Sequence, residues 1–248
     1  MKHKKIALAL ALLASTIVTG TAQAALLART GGMVYDTVNN ITWAADANLF
    51  QTQAAGNPNL VTEIITANFG VINDTANYYD GYDGIYNLSN ADFNTGTGAM
   101  TWFGAQAWAN NLTLGGYTDW TLPATIPALA GTNQTGSQMG DLFYIQLGVS
   151  SFSSIATSTN PSYSLFANVQ SYAYWSGSEY APDPTGSWYF NTNNGNQYNN
   201  DKSYQFYAWA VRAGDIAAPA AVPLPGAVWL FGSALLGSIG LKRHKNIA

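Results

Sequence analysis

The alternation of apolar and polar residues is clearest near the start of the chain, in two short runs. Met33 to Asp36 and Ile41 to Trp43 are separated by a polar segment that ends in Asn39-Asn40. Short runs rich in β-branched and aromatic residues around such a pair are typical of two strands joined by a turn. The pattern therefore predicts a β-hairpin at this point.

Helical periodicity occurs twice further along. Between Thr101 and Leu112, one helical face collects the apolar residues Trp102, Ala105, Trp108, Ala109 and Leu112. Thr101 is a suitable N-cap, and Gly115-Gly116 would stop the chain from continuing as a helix. A shorter helix is predicted over Met139 to Leu147, with Ser137 as its cap and Gly148 as its stop.

From Tyr172 onward the pattern is that of strands. Ser187 to Asn191 leads into Asn194-Gly195, a pair typical of tight hairpin turns. Tyr204 to Arg212 then alternates as a final strand. Helices that precede a β-rich second half predict an α+β fold.

The segment from about residue 51 to about residue 97 shows neither period clearly. Its centre reads NDTANYYDGYDGIYNLSNADF, and the segment is long for a connection inside a compact domain. We expect an irregular polar insertion here, in a position to carry function.

The start of the chain has the composition of a targeting segment. Residues 1–24 combine a basic start, an apolar run and the small-x-small site Ala22-Gln23-Ala24. Together these features predict a secretory signal peptide that is cleaved before Ala25. A permanent N-terminal membrane helix is the alternative.

The end of the chain is apolar and then basic. Residues 223–241 carry no charge and are followed by Lys242, Arg243 and Lys245. At ~1.5 Å per residue this stretch spans roughly 28 Å, enough for a hydrocarbon core of ~30 Å, and basic flanks stay on the cytoplasmic side. We expect a transmembrane helix, joined to the rest of the chain by a linker at residues 216–222. A buried core helix is the alternative.

The order of motifs in residues 223–245 and just before them resembles the PEP-CTERM sorting signal of Gram-negative bacteria. Val222-Pro223-Leu224-Pro225 is similar to its VPLP-type variant, and Trp229 lies in a Trp-Leu-Phe-Gly helix start. The resemblance implies export through the secretion machinery, transient anchoring in the inner membrane and cleavage by an exosortase near the prolines. The final location would then be the cell surface or the exterior. A permanent anchor is the alternative.

Between the two ends, the chain is poor in cations and in catalytic groups. From residue 25 to residue 225, Arg29, Lys202 and Arg212 stand against thirteen Asp and Glu residues, a net charge of 3 − 13 = −10. Such a surface repels phosphate backbones, so nucleic acid is not an expected partner. This segment has no His and the chain has no Cys, which excludes imidazole bases, thiol nucleophiles and the usual zinc sites. Carboxylate chemistry, calcium coordination or no chemistry remain.

The internal motifs, from about Gly31 to Gly214, resemble the Lcl C-terminal domain family. The blocks that carry the resemblance are Asp36 with Ile41-Thr42-Trp43, Met100-Thr101-Trp102 with the helix after it, Gly115-Gly116-Tyr117-Thr118-Asp119-Trp120-Thr121-Leu122-Pro123, Tyr174-Trp175-Ser176-Gly177-Ser178-Glu179, Trp188-Tyr189-Phe190-Asn191 and Ala208-Trp209-Ala210-Val211-Arg212. The resemblance implies a C-type-lectin-like fold for residues 25–215, with two helices packed on short antiparallel sheets and hairpins, and with the final strand beside the first. Thr121 stands where the family has an arginine, so Arg212, or packing alone, would take over its role.

Aromatic residues supply the candidates for ligand contact. Four tyrosines lie in the polar insertion, where no core is expected for them to fill: Tyr78, Tyr79, Tyr82 and Tyr86. Four tryptophans of the family motifs could instead form a sugar-stacking surface, although the core is the expected place for such large side chains: Trp120, Trp175, Trp188 and Trp209.

Carboxylates supply the remaining candidates. Asp80 and Asp83, in an Asp-Gly-Tyr-Asp-Gly run, could hold calcium, which prefers clustered oxygen ligands. A solvated acidic loop is the alternative. Glu179 and Asp183 could act as an acid and base pair, as carboxylates do in glycosidases, whereas Glu179 also belongs to a family motif and Asp183 lies in a Pro-flanked turn.

These features favour an exported, non-catalytic protein of the bacterial surface or extracellular matrix that binds polysaccharide, with no cofactor apart from the calcium considered above. A purely structural matrix component without a discrete ligand is one alternative. A carboxylate-based enzyme is the other.

Overall fold

The computed structural model describes residues 26–126 and 128–216. The predicted signal peptide with its cleavage site at Ala22, Ala24 and Ala25, and the predicted sorting signal from Val222 to Lys245, lie outside the described residues. Among the described helices, none is both long enough and apolar enough to cross a membrane.

The predicted N-terminal hairpin is confirmed and belongs to a four-stranded antiparallel sheet. Its strands are β1 (Leu26–Arg29), β2 (Met33–Asp36), β3 (Ile41–Ala44) and β9 (Val211–Ala213), in the order β1-β2-β3-β9. Asn40, in the turn, adopts a left-handed φ of 50°, which asparagine tolerates better than most residues.

The C-terminal strand differs from the expectation in length and in place. β9 pairs with β3, through Ile41 and Ala213, rather than with the first strand of the sheet. The reason is that β1 occupies the outer edge of β2, so β3 offers the free edge. Most of the predicted strand from Tyr204 to Arg212 is irregular, with isolated bridges from Phe206 to Met100 and from Tyr207 to Tyr174.

The predicted central helix is confirmed as α3 (Trp102–Asn111). The Thr101 hydroxyl caps it by accepting a hydrogen bond from the Gly104 N–H at 3.1 Å. Seven of its residues are buried, so most of the helix packs against the core and one side of it reaches the surface.

The second predicted helix begins where expected but changes type. α4 (Gln138–Asp141) is capped by Ser137 and continues as a π-helix over Leu142–Gln146. Met139, Leu142, Phe143 and Leu147 are buried as the apolar stripe predicted. Gly148 then leaves the helix with a left-handed φ of 64°.

The prediction that the insertion is irregular is wrong for much of its length. It contains α1 (Leu49–Gly56), α2 (Leu60–Ala67) and a two-stranded hairpin of β4 (Val71–Asn73) and β5 (Ile85–Asn87). Phe50 and Ile64 are fully buried in the common core. The eight-residue helices are too short to show a clear period in the sequence, and contact with the rest of the core stabilises them.

The third sheet forms the β-rich second half. Its strands β6 (Ala173–Glu179), β7 (Gly186–Asn191) and β8 (Asn196–Asp201) follow one another in a simple meander. Gly195 supplies the left-handed φ of 74° in the predicted turn between β7 and β8. The described residues thus form a mixed α/β domain with three small antiparallel sheets.

Tryptophans fill the core, as expected. Trp120, Trp175, Trp188 and Trp209 are all buried, so their rings are not available as a stacking surface. Two of their buried indole N–H groups bind backbone carbonyls: Trp175 donates to Met100 and Trp209 donates to Ala44. Trp209 also packs edge-on against Trp43, with ring centroids 5.3 Å apart.

Candidate functional site

The four tyrosines predicted to face a ligand divide into two pairs. Tyr78 and Tyr82 are exposed. Tyr79 and Tyr86 are partly buried and pack on the core. Tyr86 stacks on Phe103 at 3.6 Å with nearly parallel rings and donates its hydroxyl proton to Asp92, while the Tyr79 hydroxyl donates to Asp201. Within this loop, Tyr78 and Tyr82 are therefore the rings that a ligand could reach.

Burial around Tyr86 has an electrostatic consequence. Burial, with the carboxylate of Asp92 beside it, raises the pKa of the Tyr86 hydroxyl. The phenol therefore stays protonated at neutral pH and acts as a hydrogen-bond donor. In the structure, Tyr86 holds β5 against α3 by stacking on Phe103.

The predicted calcium ligands Asp80 and Asp83 both accept hydrogen bonds from backbone N–H groups. The Asp80 carboxylate accepts hydrogen bonds from the backbone N–H groups of Asn77 and Tyr82, and the Asp83 carboxylate accepts one from Ile85. No group of three or more His, Asp or Glu side chains within residues 26–126 and 128–216 is placed to hold a metal ion. The calcium prediction stays untested, and these geometries give it no support.

The two carboxylates considered as an acid and base pair are both engaged elsewhere. Glu179 lies 3.2 Å from Lys202 Nζ and accepts a hydrogen bond from the Thr75 N–H. Asp183 accepts hydrogen bonds from the N–H and the hydroxyl of Thr185. Both side chains therefore have structural partners.

Arg212 forms an ion pair with Asp119 of the motif that contains Thr121. Its guanidinium binds both oxygens of Asp119 at 2.8 and 2.9 Å and lies 4.2 Å from the centre of the Tyr117 ring. The pair holds the pKa of the Asp119 carboxyl below its usual range, chiefly through this hydrogen bond. Thr121 itself contributes a backbone pair with Val211. Arg212 thus anchors the motif that contains Thr121.

All three basic residues of the described chain are ion-paired. Arg29 binds Asp215 and Arg212 binds Asp119. Lys202 is fully buried between Asp74 and Glu179. Over residues 26–126 and 128–216, therefore, every cation already has a carboxylate partner.

A cluster of exposed and partly exposed aromatic side chains lies on β7, on β8 and on the segments next to the third sheet, and the sequence pattern does not predict it. We call it the tyrosine face and define it by Tyr172, Tyr189 and Tyr204, which contact Phe206, together with Tyr207 against Tyr172 and Tyr198 opposite Tyr189. The ring of Phe206 is 5.0 Å from that of Tyr189, 6.0 Å from that of Tyr172 and 6.3 Å from that of Tyr204. Three of the five rings are about half exposed: Tyr172 at 53%, Tyr198 at 49% and Tyr204 at 57%.

Strand register explains how the face is assembled. Residues directly opposite each other on antiparallel strands point to the same side of a sheet. Tyr189 on β7 is opposite Tyr198 on β8, and the next pair on this side is Asn191 with Asn196. The aromatic pair is therefore flanked by a pair of side-chain amides.

The hydroxyl groups of the tyrosine face are unused. None of its five tyrosines has a hydroxyl hydrogen bond to another described residue. Several other tyrosine hydroxyls do have such bonds, as in Tyr144 to the Gly195 carbonyl and Tyr35 to Asn40. Burial, with Tyr172 and Tyr198 nearby, raises the pKa of Tyr189. The face therefore offers ring surfaces and hydroxyl groups to a partner.

The sequence contained a signal for this face, but a weak one. Tyr189 and Tyr198 lie at equal distances from the turn between Asn191 and Asn196, which predicts that they pair. The contributions of Tyr172, Tyr204 and Tyr207 depend on the path of the chain after β8, and no periodicity indicates that path.

The described chain is thus a mixed α/β domain with a cluster of aromatic side chains on and beside its third sheet. A model of the Lcl C-terminal domain family matches residues 32–212, and the chain belongs to that family. The resemblance of the sequence motifs is thereby confirmed. Comparison with curated proteins and with solved structures found no match.

Proposed function

We propose that this chain is an exported, non-catalytic protein of the bacterial surface or extracellular matrix that binds polysaccharide through the tyrosine face. The observation that carries the proposal is the grouping of Tyr172, Tyr189 and Tyr204 around Phe206, with Tyr207 against Tyr172 and Tyr198 opposite Tyr189. None of these five hydroxyls is bonded to another described residue. Aromatic rings with a polar tip suit sugars, whose C–H faces stack on the ring while their hydroxyls need hydrogen-bond partners.

The charge distribution favours a neutral polysaccharide. Residues 25–225 carry a net charge of −10, and each described cation is already bound to a carboxylate. An acidic glycan would be repelled and would find no free cation to bind. A neutral glycan meets neither obstacle.

Export and processing are proposed from the two ends of the sequence. Residues 1–24 supply the signal peptide, and Val222 to Lys245 supply the exosortase sorting signal and transient membrane helix. The absence of His and Cys between these ends is the main reason for proposing a binding role instead of a catalytic one.

The proposal is tested by the retention of purified full-length protein on neutral and acidic polysaccharides. We expect saturable retention on at least one neutral polymer, such as cellulose or starch, and none on alginate. The retention should change little between about 50 and 500 mM NaCl, since no ion pair with the ligand is involved.

Variants locate the site. Tyr172→Ala and Tyr198→Ala should each weaken retention by about three- to tenfold, whereas Ile145→Ala, at another exposed apolar residue, should not. Tyr78→Ala tests the polar segment that the sequence predicted to face a ligand. This variant should be retained like the wild type if the tyrosine face is the site. If all four variants are retained as strongly as the wild type, the tyrosine face is excluded as the site.

The rival role, a structural matrix component, predicts a different result. It requires that deletion of the gene weakens the matrix while the purified protein shows no saturable binding to any polymer.

A further inference from the structure

A polar groove runs along the exposed side of α3 and shares no residue with the tyrosine face. It consists of two cavities of about 430 and about 320 Å³, and both are lined by Gln106 and Asn110 of α3. The first extends to Phe69 and Asn73, and the second to Thr121 and Ser178. Each cavity alone has a volume in the ~300–1,000 Å³ range of small-molecule sites.

The lining of the groove is polar but uncharged. No Asp, Glu, Lys or Arg is among the described residues that line either cavity. The side-chain amides of Gln106 and Asn110 form no hydrogen bond with another described residue. Because the two residues are one helical turn apart, their amides lie on the same face of α3. The two amides are therefore free to form hydrogen bonds with the hydroxyl groups of a ligand in either cavity.

Phe69, at the rim of the first cavity, has a conformation and an exposure that packing does not explain. It follows the last turn of α2 with a left-handed φ of 56°, at the position where helices usually have glycine. Such a φ is strained for a bulky residue. Its side chain is 92% exposed, so no buried apolar contact offsets the strain.

We propose that the groove is a second glycan-binding site, in which a neutral sugar unit stacks on Phe69 and its hydroxyls bind the amides of Gln106 and Asn110. The choice of a glycan as the ligand rests on the proposed function, whereas the groove itself does not. With two separate sites, one chain can bridge two polysaccharide strands or bind two points on the same strand.

Thr121 has a specific place in this site. It lines the second cavity. Its short side chain leaves this part of the groove uncharged.

The test is the number of oligosaccharides bound per chain, measured by isothermal titration of the full-length protein. The probes are four neutral hexasaccharides: cellohexaose, maltohexaose, laminarihexaose and chitohexaose. For a hexasaccharide that binds, we expect about two molecules per chain in the wild type and about one in Phe69→Gly and in Tyr198→Ala.

Phe69→Gly also separates a binding role from a structural one. Glycine adopts the left-handed region without strain, so the variant should unfold at an equal or higher temperature, by up to about 4 °C. Loss of a binding site in a protein of undiminished stability cannot be attributed to misfolding. Gln106→Ala should weaken the same site by about three- to tenfold, and Asn111→Ala, on the same helix but outside both cavities, should leave it unchanged.

The remaining outcomes separate the two proposals. One bound molecule that is lost in Tyr198→Ala but kept in Phe69→Gly overturns the groove and leaves the tyrosine face. One bound molecule that is lost in Phe69→Gly alone overturns the tyrosine face and leaves the groove. Absence of binding by all four hexasaccharides overturns the groove as a site for neutral glycans.

Discussion

Lys202 and Asp74, 128 positions apart in the chain, form a buried ion pair in which Lys202 Nζ lies 2.6 Å from Asp74 Oδ2. The lysine Nζ is also 3.2 Å from Glu179 and 4.5 Å from the centre of the Trp102 ring. Asp74 follows β4, Glu179 ends β6 and Lys202 follows β8. The lysine therefore connects the small hairpin sheet to the three-stranded sheet.

Removing this lysine should be costly. Lys202→Met keeps much of the side-chain length but leaves the buried carboxylate of Asp74 without its cation, which should lower the free energy of unfolding by about 3–5 kcal/mol. Adding Asp74→Asn should recover part of this loss, since the uncompensated charge is then absent. Urea denaturation measures both changes.

The control for the Lys202 variant is the more exposed pair between Arg29 and Asp215. Arg29→Met should cost about 1 kcal/mol or less, as is usual for ion pairs near the surface. If Arg29→Met and Lys202→Met lower the free energy of unfolding by similar amounts, Lys202 is not the main connection between the hairpin sheet and the three-stranded sheet.

Gly104 permits the close approach of α3 to the end of the insertion. A Cβ at this position would lie 2.6 Å from the backbone oxygen of Asp92, and both residues are buried. We expect Gly104→Ala to destabilise the domain by about 2–3 kcal/mol, because backbone must move. Thermal unfolding provides the measurement.

Gly56 is a matched comparison for Gly104. It is the last residue of α1, and a Cβ there would meet nothing within 4 Å. Gly56→Ala should be neutral or stabilising by up to about 1 kcal/mol. If Gly104→Ala proved as harmless as Gly56→Ala, the tight contact with Asp92 would be wrong.

Asp141 should make stability depend on pH. Burial raises the pKa of its carboxyl, and the nearby charge of Asp36 adds to this, while amide donors from Gln146 and Asn39 oppose it. Because the folded-state pKa is the higher one, the contribution of Asp141 to stability is present below the ordinary value of 3.8 and is lost as the pH rises through the raised pKa.

Asp141→Asn tests this linkage, because the new amide oxygen can accept the same hydrogen bonds without carrying charge. Relative to the wild type, the variant should gain stability as the pH rises from about 4 to 7, by an amount on the order of 1 kcal/mol. Urea midpoints at several pH values give the difference. A wild type that gains on the variant over this range would contradict the prediction.

Export should leave a defined fragment. We expect protein recovered outside a Gram-negative host with an exosortase to begin at Ala25 and to end within Val222-Pro223-Leu224-Pro225, as measured by intact mass. Replacing Pro223 and Pro225 with alanine should keep the chain in the inner membrane. Exported protein that still contains Trp229 to Lys245 would contradict the proposed processing.

Much of the local structure was predictable because it depends on neighbouring residues. The hairpin of β2 and β3, the cap of α3 at Thr101 and the turn at Gly195 are encoded within a few positions of where they occur. The short helices α1 and α2 were missed for the complementary reason. Their stability comes from burying Phe50 and Ile64 against distant parts of the chain.

The candidate sites show the same difference between what local sequence predicts and what distant contacts decide. Tyr79 and Tyr86 are partly buried and Tyr78 and Tyr82 are exposed, although all four share one polar segment. Which tyrosine packs on the core depends on where Phe103 and Asp201 lie. The sequence around the tyrosines does not contain that information.

The sequence by itself determined the family, the charge, the absence of imidazole and thiol groups between the two ends, the hairpin of β2 and β3, the helix α3 and the start of α4, because these follow from composition and local pattern. Only the tertiary structure decided that Lys202 is buried against Asp74, that five tyrosines share one face, and that Phe69 stands exposed beside an uncharged groove. The physical reason is that burial and exposure result from contacts between residues far apart in the chain, which local pattern does not specify.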